Sequence, residues 1–242
     1  MKVIIDRGAL QRRARLSHVA SLGGLLVLLG SVAISLWQPD WTALTAILLV
    51  AGFAISLTGI YFANRWVKKP RPEDVLDLAL KGLDDRHRLY HYALPCDHVL
   101  LMPTGLVVLE TVGLDGSFTY QNGKWRQKMS MGRAMRFFVE ERLGDPIARA
   151  QGCAGALQAR LAQALPETPS LEVRALVVFV NPNSELNVEK APIPVRQASK
   201  LRGLLSKGGV KLKPEVYKQV QGILDEMANI SGYLHNETSD SR

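Results

Sequence analysis

Two acidic residues are spaced so that a hairpin would bring their carboxylates together. The segment Pro103-Thr104-Gly105 has the composition of a tight turn between two apolar runs. Asp97 and Glu110 are almost equidistant from the centre of this turn, so antiparallel pairing would place them side by side. Two carboxylates at one end of a strand pair offer the oxygen ligands that Mg²⁺ or Mn²⁺ prefers. A metal ion held there would lower the pKa of a bound water molecule and activate it for hydrolysis.

The cation that usually accompanies such carboxylates is missing from the same strand. Side chains alternate along a strand, so position 112 faces the same side as Glu110. A lysine there would stabilise the charge on a reacting phosphate, but the chain has Val112. Lys124 and Lys128, on or after the next predicted strand, are the candidates to replace it, although each also fits an ordinary solvated surface lysine.

The elements that must position these residues are predicted by periodicity and turn residues. An amphipathic helix over residues 73–83 comes first, and a meander of short strands follows from Arg88 to Trp125. A helix from Asp145-Pro146 to about Leu165 comes next, and then a buried strand over residues 171–182. A strand near residues 192–195 and helices over residues 197–205 and 214–227 complete the pattern. The order predicts an α/β domain with a mixed sheet and helices packed against it.

Two apolar runs precede this domain. Residues 19–37 and 42–63 are long enough to cross a hydrocarbon layer of about 30 Å as helices, and Pro39 and Asp40 separate them. Between His18 and Asn64 there is no Lys or Arg, whereas basic residues flank both outer ends. The positive-inside rule therefore predicts a multi-pass protein of the cell (inner) membrane with cytoplasmic N- and C-termini.

The chain is accordingly divided into five predicted segments. They are a basic cytoplasmic N-terminus (1–17), a transmembrane helical hairpin (18–66), a basic linker (67–71), the α/β domain (72–230) and a disordered tail (231–242). The formal net charge of +8 permits an anionic partner such as nucleic acid or phospholipid headgroups.

The remaining chemistry-bearing residues exclude several classes of protein. Cys96 and Cys153 have neither zinc-site spacing nor the density of a disulfide-rich domain, which predicts reduced, buried thiols. His87, His91 and His98 lack zinc spacing on a helix face and are expected in solvent or on strands. The sequence contains no P-loop, nucleophile elbow or dinucleotide fingerprint.

The pattern as a whole resembles a known family. The stretch CDHVLLMPTGLVVLETVGLDGSF, the tryptophan of GKW and the segment DPIARAQGCAGALQARL are similar to the nuclease-related domain family, NERD, which has the PD-(D/E)xK nuclease-like fold. The resemblance covers roughly residues 72–205. It implies that Asp97 and Glu110 are metal ligands and that Mg²⁺ or Mn²⁺ is the cofactor if the domain is active, with no cofactor otherwise.

The resemblance also implies further site residues. The family has an acidic residue on the first helix, for which Glu73 is the best match and Asp74 or Asp77 the alternatives. Gln151 lies on the later helix, and Lys124 would replace the catalytic lysine that Val112 displaces.

Three functions remain open from the sequence. The preferred one is a degenerate or weakly active nuclease-related domain that binds nucleic acid through Lys124, Arg126, Lys128, Arg133 and Arg136. The second is an active metal-dependent phosphodiesterase with a relocated lysine. The third is a non-catalytic interaction module at the membrane surface, serving an unknown protein partner, in which Arg65, Lys68, Lys69 and Arg71 contact anionic lipid.

Overall fold

The computed structural model describes residues 1–66, 70–128, 143–166, 171–205 and 210–230. These residues form two units, which are described separately: residues 7–71, and residues 1–6 together with those from Pro72 onward. The predicted tail over residues 231–242 lies outside the described residues, as do Lys68, Lys69, Arg133 and Arg136.

The first unit is a pair of long apolar helices. α1 spans Arg7–Trp37 and α2 spans Thr42–Trp66, with a 3-10 turn at Pro39–Trp41 between them. By length and composition, Leu10–Trp37 and Pro39–Ala63 are able to cross a membrane. The two helices pack closely because Gly24 faces Ser56 and Gly59 faces Ser21, where any added Cβ would collide with the other helix.

The apolar side chains of these helices face outward. Leu26 is 68% exposed, Val50 is 71% exposed and Phe53 is 59% exposed. The hairpin therefore presents apolar surface that no other part of the described chain covers, and such surface is unfavourable in water.

The second unit is built on nine strands and four helices among the described residues. The strands are β1 (Lys2–Ile5), β2 (Arg88–His91), β3 (His98–Met102), β4 (Gly105–Val112), β5 (Gly116–Gln121), β6 (Lys124–Gln127), β7 (Val173–Phe179), β8 (Ser184–Val188) and β9 (Val195–Gln197). The helices are α3 (Pro72–Ala79), α4 (Pro146–Ala164), α5 (Leu201–Leu205) and α6 (Pro214–Ile230).

The larger sheet has six strands in the order β1-β2-β3-β4-β7-β9. β2, β3 and β4 form the predicted antiparallel meander, and β4 pairs with β7 in parallel. This arrangement confirms the prediction of two long apolar helices followed by a mixed-sheet α/β domain. The prediction was wrong about the end of the meander, because β5 and β6 leave it and join β8 in a separate three-stranded sheet.

The centre of the domain lies on β4, which is buried on both faces. Leu106 and Val108 pack in a cluster with α4 and α6, whereas Val107 and Leu109 pack on the opposite face with α3 and α5. The alternation follows from the two-residue period of a strand and explains why β4 is continuously apolar up to Leu109.

An N-terminal strand, which the sequence did not reveal, completes the larger sheet. β1 pairs in parallel with β2, in the register Lys2↔Arg88 to Ile5↔His91. The backbone N–H of Lys2 donates to the carbonyl of His87 at 2.9 Å, and that of Asp6 donates to the carbonyl of His91 at 3.0 Å. The predicted basic N-terminus thus contains a strand of the same sheet as the domain that follows the hairpin.

The two cysteines form a disulfide, which corrects the prediction of reduced thiols. Cys96 precedes β3 and Cys153 lies on α4, and their Cα atoms are 5.8 Å apart. This separation is within the usual range for a disulfide. The packing of α4 against the sheet brings together two residues that are 57 positions apart, a proximity that sequence spacing does not reveal.

We predict that Ile4→Pro destabilises the domain by about 1–3 kcal/mol, because the substitution removes a ladder hydrogen bond and leaves a buried carbonyl on β2 unpaired. The N–H groups of Lys2 and Asp6 point to β2, so that of Ile4 does too, whereas that of Val3 points away. Val3→Pro is therefore the matched control and should be tolerated at this sheet edge. Thermal unfolding of the detergent-solubilised full chain measures both, and equal losses would contradict the assigned ladder.

Candidate functional site

The hairpin of β3 and β4 places the two predicted carboxylates at one end of a strand pair. Met102 pairs with Gly105 around a two-residue turn, and the register continues to Val99↔Val108. The pairing ends there, and Asp97 lies two positions before Val99 whereas Glu110 lies two positions after Val108. Their close approach stays a prediction. Asp97 directly precedes β3 and is half-buried, and its backbone carbonyl accepts the N–H of Tyr92 at 2.7 Å.

Glu110 faces α4 and forms an ion pair there. Nε of Arg149 donates to Oε1 of Glu110 at 2.6 Å, and Nη1 of Arg149 donates to the carbonyl of Leu143 at 3.1 Å. Asp145 caps α4 by accepting the N–H groups of Ile147 and Ala148, each at 3.1 Å. Sequence reasoning did not identify Arg149, because its partner is 39 residues away on a strand.

Glu73 lies on the other side of the sheet. It belongs to α3, which packs on the face of β4 opposite to α4. The side chain is 3% exposed, and Oε2 accepts a hydrogen bond from the Tyr92 hydroxyl at 3.0 Å. Tyr92 itself has a φ of 57°, an unusual value for a bulky residue, and this conformation accompanies the contact. Glu73 is therefore carried by a helix on one face of the sheet, whereas Glu110 faces the helix on the other.

A buried histidine pair lies beside Glu73. His91 and His98 are neighbours across β2 and β3, and their Nδ1 atoms are 2.8 Å apart. One of these nitrogens is protonated and donates a hydrogen bond to the other. Nε2 of His91 is 3.2 Å from Asp77 on α3, and the ring of Tyr92 contacts that of His98. Both histidines do occupy strands, one of the two places expected for them.

Burial keeps His98 uncharged. Its pKa lies well below the usual value, mainly because burial removes the imidazole from water and secondarily because of electrostatic interaction with the neighbouring His91. These residues link α3 to two strands, so they act as a polar connection within the core. Among the described residues, no group of three or more His, Cys, Asp or Glu side chains is arranged to hold a metal ion.

The other predicted site residues lie apart from the carboxylates. Lys124 is exposed on β6, and within the described chain it forms no ion pair with Asp97 or Glu110. Gln151 is exposed on α4, two residues after Arg149 and hence on a different side of that helix. Val112 is 5% exposed within an apolar cluster.

The solvent face of the three-stranded sheet is divided by charge. Lys124 and Arg126 alternate along β6, and Lys128 continues the series, its N–H bonded to the carbonyl of Ser117 at 3.0 Å. On the central strand, β5, Ser117 donates to Glu185 of β8 at 2.9 Å, and Gln121 donates to Glu189, just after β8, at 3.0 Å. The exposed residues Lys124, Arg126 and Lys128 are called the basic column below.

Comparison with protein families identifies the domain. A family model described as nuclease-related domain matches residues 72–180, which include the β2–β4 meander, α4 and β7. Residues 72–180 belong to the NERD family. The mixed sheet of the NERD domain agrees with the nuclease-like fold that the resemblance implied. Neither the search of curated proteins nor the search of solved structures finds a match to the chain.

The NERD domain as described does not fit the divalent cation that its family resemblance implies. Glu110 is engaged by the guanidinium of Arg149, and Glu73 lies on the opposite face of the sheet. Val112 is apolar and buried where the lysine would stand. The residues present therefore define two separate carboxylate environments and no shared metal position in the described chain.

We predict that lowering the pH from 7.5 to 5.5 removes about 1.4 kcal/mol of stability through His98 alone. The unfolded imidazole takes up a proton below about pH 6.5, whereas the folded one, with its lowered pKa, does not. The stabilisation is therefore complete above that pH and is lost as the pH falls.

Thermal unfolding of His98→Asn at several pH values tests this expectation. In His98→Asn, the dependence of stability on pH should decrease by the contribution of one proton. His18 is an exposed histidine on α1, and His18→Asn should retain the native dependence. An unchanged pH profile in His98→Asn would refute the assignment.

Proposed function

We propose that this chain is a membrane-anchored NERD-domain protein that binds nucleic acid without cleaving it. The observation that carries the proposal is the environment of position 112. Val112 packs with Phe118, Ile147 and Phe179, so the place of the catalytic lysine is part of an apolar core. A charged amine in that cluster would be strongly disfavoured.

The basic column supports nucleic-acid binding. Three exposed cations spaced two residues apart on one strand lie on one face, about 7 Å from one to the next. The aromatic residues Tyr120 and Trp125 point into the apolar cluster instead, so the described part of this face offers no platform for base stacking. The surface is therefore suited to phosphate contacts, which are independent of base sequence.

The exposed apolar surface of α1 and α2 supports membrane anchoring. In a bilayer, side chains such as Leu26 and Phe53 would be covered by lipid, and all internal backbone bonds are satisfied within the helices. The pairing of β1 with β2 supports a hairpin topology, because it requires residues 1–6 and the NERD domain to be on the same side of the bilayer. Of the basic cluster predicted to contact lipid, only Arg71 has a described side chain.

We predict that the full chain in nanodiscs binds labelled DNA or RNA with a strong dependence on salt and gives no cleavage products with Mg²⁺, Mn²⁺ or EDTA. Each phosphate contact contributes about 0.7–0.9 to the slope of log affinity against log salt. Replacing Lys124, Arg126 and Lys128 with alanine should therefore reduce the slope by about 2.

A matched variant removes the same charge elsewhere. Lys211, Lys213 and Lys218 are also exposed, and their replacement with alanine should leave binding nearly unchanged. Metal-dependent products that disappear in Asp97→Ala/Glu110→Ala would instead establish an active phosphodiesterase. An absence of both binding and products would favour the interaction module at the membrane surface.

We predict that a reporter fused to the C-terminus will lie in the cytoplasm. Basic residues flank both outer ends of the hairpin, and they favour the cytoplasmic side. Green fluorescent protein should fluoresce in this position and alkaline phosphatase should be inactive. The reverse pattern would place the NERD domain and its disulfide in an oxidising compartment.

A further inference from the structure

The ion pair between Arg149 and Glu110 engages one of the two carboxylates predicted to be metal ligands. Nε of Arg149 is 2.6 Å from Oε1 of Glu110, and the side chains are 45% and 20% exposed, respectively. A charge-assisted hydrogen bond of this length is among the stronger polar contacts in proteins. One oxygen of the carboxylate is therefore directed at a guanidinium instead of being available as a ligand.

The backbone around α4 holds the guanidinium in place. The carbonyl of Leu143 accepts Nη1, and the N–H of Arg149 bonds to the carbonyl of Asp145 at 3.1 Å. Gly144 has a φ of 56°, and a Cβ there would approach Nη1 to 3.0 Å. Glycine thus permits both the backbone conformation and the close passage of the arginine. Two hydrogen bonds therefore hold the guanidinium of Arg149 beside the N-terminus of α4.

We propose that Arg149 is a built-in counter-ion that excludes divalent cations from the carboxylate of Glu110. Mg²⁺ and Mn²⁺ bind through one or two carboxylates together with water and phosphate, so Glu110 is a ligand that such an ion would need. The guanidinium neutralises Glu110 and repels a dication at contact distance. This inference rests on the proposed non-cleaving function and assigns the exclusion of divalent cations to one residue.

Substitutions at position 149 separate the effect of its positive charge from the effect of its hydrogen bonds. A lysine at position 149 would keep the positive charge but lose the planar set of donors that reaches both Glu110 and Leu143. If repulsion excludes the metal, Arg149→Lys should behave as the native protein does, whereas the neutral Arg149→Gln should not.

The experiment measures Mn²⁺ binding by calorimetry to the full chain in nanodiscs, with thermal unfolding to verify the fold. The native chain and Arg149→Lys should bind Mn²⁺ weakly, whereas Arg149→Gln should bind about tenfold to hundredfold more tightly. Arg160→Gln, at an exposed arginine of the same helix, is the matched control and should resemble the native chain. Glu110→Gln combined with Arg149→Gln should lose the gain.

The outcomes separate this inference from the proposed function. Tight Mn²⁺ binding by the native chain, or no gain in folded Arg149→Gln, would overturn the role of Arg149 while leaving the absence of cleavage intact. Metal-dependent cleavage by the native chain would overturn the proposed function itself. If Arg149→Gln does not fold, Arg149→Met is measured in its place, and failure of both to fold would show a purely structural ion pair and reject the proposal.

Discussion

The two-residue turn between β3 and β4 is the constraint on which the rest of the NERD domain depends. It fixes Met102 opposite Gly105, and every later pair in the hairpin follows from that choice. A slip of one residue would exchange the two faces of β4, so Leu106 and Val108 would no longer face α4. The same slip would turn Glu110 away from Arg149. Core packing and the polar site are therefore consequences of one register.

The sheet also connects parts of the chain that the apolar hairpin separates. β1 precedes α1, whereas its partner β2 comes more than 80 residues later. The side chain of Ile4 packs against the same cluster as α4 and α6, so the N-terminal strand contributes to the core as well as to the ladder. The sheet can be completed only after the hairpin and the first part of the NERD domain have been synthesised. The N-terminus is consequently a structural part of this domain.

The sequence predicted those features that depend on local pattern. The apolar helices, the strands of the meander and the start of α4 at Asp145-Pro146 follow from periodicity, turn residues and caps. It did not predict β1, which is only four residues long, or β8, whose alternating polar residues lack a strong apolar signal. The disulfide and the Arg149–Glu110 pair were missed because each joins residues brought together by helix packing, which one sequence does not encode as spacing.

The carboxylates of Glu73 and Glu110 have different partners on the two faces of the sheet. A buried or half-buried carboxylate needs hydrogen-bond donors or a counter-charge, and Glu73 meets this need at one oxygen only, because its Oε1 is buried without a hydrogen-bond partner among the described residues. Tyr92 supplies a hydroxyl to Glu73 on the α3 side, and Arg149 supplies a guanidinium to Glu110 on the α4 side. The charge of Glu110 is thus compensated from the neighbouring helix, close in sequence to the buried Val112, whereas Glu73 has a neutral hydroxyl at one oxygen.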